Sequence, residues 1–286
     1  MSLVLNDLFT DMSDFKEVVP SIGASVDLEK LNSSAMSARK QIQNIITKAI
    51  YDTIKEDTDT ESVLALKQAL ANATMAKQVV FDAIEYRKSD TAVYKNELEL
   101  MKRSYMDNYY NAMDTLLVLL KDDEVWKETA FCKKQDELKI KSAEDFNLLY
   151  PIDNSYLFYF RTIPIQAEII DEDFCDLFEI AAEKQDTKST NRLMRSLALM
   201  VVATAIKRFD PLELPMTIRN LFEDTTASRS GDSEQSRLLN LAKDLQLIAM
   251  DTIKNVIDIL TITNTTTSID TESSFTLPED QIILLG

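Results

Sequence analysis

The sequence predicts an all-α protein, a multi-helix bundle with an extended C-terminal arm, and three observations carry that reading. Glycine occurs only three times in 286 residues, at Gly23, Gly231 and Gly286. The stretch between the first two lacks the residue on which β-hairpin and βαβ turns lean. Ala, Leu, Lys, Glu, Gln and Met, the strong helix formers, are plentiful. Apolar residues also recur at alternating spacings of three and four, the period of a half-buried helix.

The first half yields three long helices. Leu3, Leu5, Leu8, Phe9 and Phe15, followed by Pro20 and Gly23, read as a short helix or extended lead-in closed by a turn. A Ser25 or Asp27 cap then opens a helix with Leu28, Leu31, Ala35, Ala38, Ile42, Ile45 and Ala49 as one continuous stripe. Ile46, Ile50 and Ile54 widen that stripe, which favours a globular bundle over a narrow coiled-coil seam. Thr58 and Glu61 form a capping-box pattern for the second helix, with Val63, Leu66, Leu70, Ala73, Val80 and Ile84 as its apolar positions. After a break near Ser89–Asp90, the third carries Tyr94, Leu98, Met101, Tyr105, Tyr109, Ala112, Leu116 and Leu120. Asp122, Asp123 and Glu124 oppose the dipole at a helix C-terminus and fit a linker or the first turn before Trp126.

In the second half, Val125–Lys141 reads as a helix or short segment leading to Phe146. Leu148–Ile165 contains Pro151, Pro164 and the aromatics Tyr150, Tyr156, Phe158, Tyr159 and Phe160, and is expected to be strand-like or irregular. A helix follows from about Ile165 to Glu183, then a polar linker Lys184–Thr190 and a very apolar helix Asn191–Phe209 that Pro211 and Pro215 end. Thr225–Ser233 reads as a small-residue loop, and Glu234–Leu260 as the last long helix, with Leu238, Leu241, Leu245, Ile248, Ile253, Val256 and Leu260. The chain thus divides into an N-terminal unit 1–124, a C-terminal unit 125–260 and a polar Thr/Ser-rich tail 261–286 with an apolar end.

The two units are alike in order and spacing. Asp14-Phe15 with Pro20 matches Asp145-Phe146 with Pro151, and Ala112–Thr115 repeats as Ala249–Thr252 near the end of each unit. Duplication of one helical unit and convergence of amphipathic pattern are both open as explanations.

Composition excludes several function classes. There is no histidine, so Ser-His-Asp and Cys-His nucleophile systems and His-ligated metals cannot be built. Two cysteines are too few for a Cys-only zinc or iron–sulfur site, and Cys132 and Cys175 read as reduced core thiols, which suits a cytosolic chain. No glycine loop exists to cradle a nucleotide phosphate. The net charge of −17 disfavours specific nucleic-acid binding, and the basic doublets Arg39–Lys40, Arg87–Lys88, Lys102–Arg103, Lys133–Lys134 and Lys207–Arg208 read as solvated helix faces. The stretch Leu197–Ile206 is too short to span a bilayer, and Met1–Thr10 lacks the basic region of a secretory signal.

Few residues are left as site candidates. Asp171, Glu172, Asp173, Asp176 and Glu179 form the densest acidic group, but without EF-hand spacing, and read as acids at a helix N-terminus. Tyr105, Tyr109, Tyr110 and the group Tyr150–Phe160 read as core and interface anchors rather than a stacking platform. No catalytic, cofactor-binding or metal-ligating residue is nominated. The candidate partner-binding residues are Phe275, Ile282, Ile283, Leu284 and Leu285 in the tail, which either fold back onto the chain's own domain or dock on a neighbouring subunit.

A resemblance adds to this reading. The runs Trp126–Phe131, Ser142–Asn147, Tyr150–Ser155 and Phe158–Pro164, with Asp14-Phe15 through Leu28 and Leu31 into Ile45 and Tyr51, resemble a group of uncharacterised proteins from phages and prophages of Bacteroides-type gut bacteria. The resemblance covers most of the chain except the tail, through diffuse apolar and aromatic spacings. It departs from the group's pattern in lacking a glycine after the first and second long helices. It implies an all-α head–tail connector (neck) protein, without catalytic residues or cofactors, that joins copies of itself and other virion proteins. The expected location is the cytoplasm of the bacterial host, and then the virion. In such a setting an acidic lumen would repel passing DNA. The alternative expectation is a cytosolic helical module that binds a protein or small molecule.

Overall fold

Helix starts are encoded in side chains that satisfy otherwise free first-turn amides. Asp11, Asp27, Asp123, Ser142, Ser155 and Asp186 each accept a backbone N–H of the turn they open, and Thr60 accepts that of Val63 at 3.2 Å. A computed structural model describes residues 3–19, 27–57, 60–88, 95–219 and 231–267, and helix is the only regular structure among them. The all-α prediction therefore holds. In chain order the helices are α1 Met12–Val18, α2 Leu28–Ile46, α3 Lys48–Glu56, α4 Glu61–Lys88, α5 Lys95–Leu120, α6 Glu124–Lys127, α7 Ala130–Asp136, α8 Ala143–Leu149, α9 Tyr156–Ile169, α10 Cys175–Glu183, α11 Thr187–Arg208, α12 Met216–Arg219 and α13 Gly231–Thr267. Short 3-10 turns cover Val4–Asp7 and Pro211–Glu213.

Two helices, one in each half, are enclosed nearly all round. In α4, Leu66, Ala69, Leu70, Ala71, Ala73, Met75, Ala76 and Val79 are all buried, and in α11 every residue from Ser196 to Ala203 is buried. Such helices need neighbours on every side. The lead-in α1, together with α2, α3 and α5, packs on α4; α8, α9, α10 and α13 pack on α11. The long partners run antiparallel to the enclosed helices. Asn108 reaches back from α5 to Asn72 of α4 at 3.3 Å, and Lys207 near the end of α11 meets Gln246 of α13 at 2.6 Å. Helix α9 also packs on α5 and so joins the halves. The buried apolar residues form one core from Val4 to Leu260.

The series α1 to α5 is followed by a comparable series, α8 to α11 and α13, with the turn Ile170–Phe174 inside it and α12 before its last helix. Phe15 and Phe146, the aromatics of the two Asp-Phe pairs, are both fully buried, each four residues after its helix cap. In the repeated tetrapeptide, Ala112 and Ala249 are both buried. Thr115 and Thr252 each bond back to the carbonyl four residues earlier.

Several elements differ from expectation. The first long helix is broken at Thr47, whose positive φ of 71° is a costly conformation for a β-branched residue. The break turns α3 so that Ile50, Tyr51 and Ile54 face the core. The segment Leu148–Ile165, expected to be irregular, is mostly helix: α9 starts at a Ser155 cap and carries Pro164 inside it. Pro164 withholds an N–H from the carbonyl one turn earlier, and burial of Leu157, Phe158, Phe160, Ile163 and Ile165 outweighs that loss. The acidic residues Asp171–Asp173 are not at a helix start. They project from a π-helical turn, Ile170–Phe174, that connects α9 to α10 and buries Phe174. Helix α13 continues to Thr267, into the first residues of the Thr/Ser-rich stretch. The expected turn at Pro20–Gly23, the Ser25 and Thr58 caps, the break at Ser89–Asp90, Tyr94 and most of the loop Thr225–Ser233 lie outside the described residues.

One buried polar side chain fixes the connection into α8. Gln166, fully enclosed, accepts the Ile140 N–H at 2.8 Å and donates to the Ile140 carbonyl at 3.2 Å, and the Tyr159 hydroxyl donates to the same carbonyl at 2.9 Å. Replacing Gln166 by Leu keeps the bulk but orphans the buried Ile140 N–H. Urea denaturation should show a loss of about 2–3 kcal/mol, whereas a loss below about 0.5 kcal/mol would assign the pairing no structural weight.

Candidate functional site

Three cavities line the joint between the halves, and Tyr110 and Glu213 border all of them. The first, of about 520 Å³, lies between α2, α4, α5 and the Asp210–Glu213 turn, with Ser33, Ser37, Lys77, Phe81, Lys102 and Met106 on its walls. The second, of about 350 Å³, lies between α5, the start of α9 and α12, and presents Asp107, Asp114, Asp153 and Arg219. The third, of about 450 Å³, lies between α2, α5 and α9, with Gln41, Tyr109, Arg161 and Phe209.

Most charges at this joint are paired. Arg161 bonds Glu213 at 2.6 Å and lies 4.6 Å from the centre of the Phe209 ring. Arg219, almost fully buried, bonds Asp107 at 2.9 Å through Nη2, while its Nε has no partner among the described residues. Asp153, held in the left-handed region at φ 57°, accepts the Thr217 N–H at 3.0 Å and the Thr217 hydroxyl. Asp114 of α5 accepts the Ser155 hydroxyl at 3.0 Å and the Leu157 N–H at 2.7 Å, and so caps α9 from the other half. Burial raises the Asp114 carboxyl to about 6, against those stabilising hydrogen bonds. The Tyr110 hydroxyl has no partner among the described residues, and burial raises its pKa, so it stays a neutral donor and acceptor.

A fourth cavity, of about 380 Å³, lies under the connection after α5, against Trp126, Cys132, Tyr156, Tyr159 and Phe160. Its rim is a closed network. The Tyr156 hydroxyl donates to Glu144, and Lys121 bonds Glu144 at 2.9 Å and Tyr156 at 3.0 Å. Those bonds, that of Tyr156 foremost, hold Glu144 down at about 2. Trp126 stacks on Phe160 at 5.2 Å, with Phe131 on the same ring at 4.5 Å. The aromatics of 150–160 therefore serve chiefly as core, as do Tyr105 and Tyr109, while Tyr110 borders all three joint cavities.

The other expected residues are scattered. Phe275, Ile282, Ile283, Leu284 and Leu285 lie outside the described residues. Asp171, Glu172, Asp173, Asp176 and Glu179 are exposed, and among the described residues no group of three or more His, Cys, Asp or Glu is placed to hold a metal ion. Cys132 and Cys175 are free thiols, the latter exposed rather than core. The basic doublets are partly committed within the chain: Arg39 to Asp7, Arg103 to Glu234, Lys133 to Glu128, Lys134 to Glu137 and Arg208 to Glu168. Sequence reasoning missed the joint between the halves. Its signals were there: Ser33, Ser34 and Ser37 within one helix, where serine is a poor helix former, and Lys102, Met106 and Tyr110 at successive turns of another. No described helix is long and apolar enough to cross a membrane.

The raised Asp114 carboxyl gives a signed prediction. Between its unfolded value near 4 and its folded value of about 6 the native state holds a proton that the unfolded chain has released. That group's contribution is therefore present at low pH and declines as pH rises through this window. The Asp114→Asn variant lacks the titration. Its stability relative to the wild type should increase between pH 4 and pH 6 and level off above. A difference that is flat across that range would contradict the assignment.

No protein-family model, curated protein or solved structure matches this chain.

Proposed function

We propose that the protein is a non-enzymatic structural or adaptor protein that works by assembling with copies of itself and with other virion proteins, of the head–tail connector (neck) type. One observation carries this reading. Helix α13 leaves a flank open: Leu239, Met250 and Ile257, spaced by whole helical turns, are 40%, 54% and 43% exposed, and Leu247 toward the same side is 60% exposed. Exposed apolar residues aligned along one helix flank are a candidate protein–protein interface.

The internal order supports a second copy as its cover. Met113 and Leu120 of α5 occupy the places that Met250 and Ile257 take when the shared tetrapeptides are aligned. Both are buried, in a helix on which α9 of the second half packs. If the halves arose by duplication, the second half presents to solvent the face that the first half presents to the second. A second copy then adds to α13 as the second half adds to α5, a head-to-tail contact that closes into a ring when its rotation permits. The tail 261–286, read as an arm, extends the same contact. The net charge of −17 suits a ring through which DNA passes without sticking. On this reading the protein stands in the host cytoplasm before assembly and in the virion after it. The cavity between α2, α4 and α5 favours a second reading, a helical binding module.

Light scattering and native mass spectrometry test the assembly reading. The wild-type protein should exceed its 32.5 kDa chain mass at tens of micromolar or beside its virion partners. The double variant Met250→Glu/Ile257→Glu should stay near that mass with a melting temperature close to wild type, because both residues are already half-exposed. A strictly monomeric wild type under all these conditions would remove the support for this reading.

A further inference from the structure

The first joint cavity has a property that neither assembly nor core packing explains. Two lysines, Lys77 of α4 and Lys102 of α5, line one opening of about 520 Å³. Neither has a carboxylate partner among the described residues. The two acids on the far wall are engaged elsewhere: Asp210 accepts the Leu212 N–H at 2.9 Å, and Glu213 bonds Arg161 at 2.6 Å. Burial and the charge of Lys102 hold the Lys77 ammonium below its ordinary pKa. In a chain with 48 acids and 31 bases, two mutually repelling ammonium groups beside a cavity, without a carboxylate bonded to either among the described residues, call for an anion.

The remaining walls describe the rest of the ligand. Ser33 and Ser37, exposed on α2, have no side-chain hydrogen bond among the described residues and offer hydroxyl donors beside the lysines. Phe81, 55% exposed one turn beyond Lys77, and Val80, 52% exposed, stand at the same opening, and Met106 continues the apolar wall one turn from Lys102. The volume is that of a small-molecule site, not of a protein interface. We propose that this cavity binds a small amphipathic anion, with a phosphate or carboxylate head between Lys77, Lys102 and the α2 serines and an apolar body against Val80, Phe81 and Met106. The site stands independently of the assembly reading, since none of its residues lies on α13.

Calorimetric titration of the full chain with decyl phosphate, decanoate, decanol and inorganic phosphate tests it. One anionic amphiphile, or both, should bind saturably, one per chain. Inorganic phosphate should bind about tenfold more weakly or worse, and decanol should not saturate. Lys77→Gln/Lys102→Gln should weaken amphiphile binding at least about tenfold while melting no lower than wild type, since it removes a repulsive pair. Phe81→Ala, at an exposed position, should weaken the amphiphile without changing the response to inorganic phosphate. Lys188→Gln, at an exposed site on α11, should leave binding intact. Absence of saturable binding by either amphiphile, equal binding by the double lysine variant, or equal binding of decanol or inorganic phosphate would each overturn the proposal.

Discussion

The enclosure of α4 and α11 is the constraint on which the rest of the structure depends. A helix apolar on every side cannot rest on one neighbour; it must be surrounded, or it leaves hydrocarbon in water. Each half meets that demand with a short capped helix that drives a phenylalanine into the core, an overlying helix with a deviation in its course, and a long antiparallel partner. The deviations at Thr47 and at the π turn Ile170–Phe174 are local costs. In return, Ile50, Tyr51 and Ile54 in one half and Phe174, Phe178 and Ala181 in the other reach the core.

The halves meet where coverage is shared. Helix α9 serves α11 in its own half and α5 in the other, and Asp114 ties its start across the boundary. The charges are arranged around that contact: Arg161 with Glu213, Arg219 with Asp107 and Asp114 under the cap. The two ion pairs are partly exposed, so each contributes modestly to stability. Cavities collect at the same boundary because two separately packed layers rarely mate without gaps. Where coverage runs out, apolar residues remain in water, at Val80, Phe81 and Ile84 on α4 and along the outer flank of α13.

Much of this was legible in the sequence. Scarcity of glycine and the three-four spacing predicted the class and nearly every long helix, because burial of a periodic stripe dominates local preference. Cap chemistry narrowed the first start to Ser25 or Asp27, of which Asp27 caps α2, and left Asp122–Glu124 as a linker or a helix start, of which the structure shows the start, capped by Asp123. Three kinds of feature were not legible. The helix through Pro164 depends on tertiary burial that local propensity does not contain. The exposure of Val80, Met101 and Ile248, periodic yet facing water, depends on where neighbouring helices end. The joint cavities unite residues far apart in the chain, such as Ser33, Lys77, Lys102 and Glu213, whose convergence no single-helix pattern records. The acids at Asp171–Asp173 misled because a helix start and a π turn both favour polar outward residues.

If α4 and α11 organise the fold, they should be the last elements to open. Native-state hydrogen exchange measures this directly. The account predicts that amides of the enclosed stretches, Leu66–Val79 and Ser196–Ala203, exchange slowest, with a common opening free energy equal to that of global unfolding. Slower exchange in α2 or α13 than in either enclosed helix, or distinct free energies for α4 and α11, would contradict it.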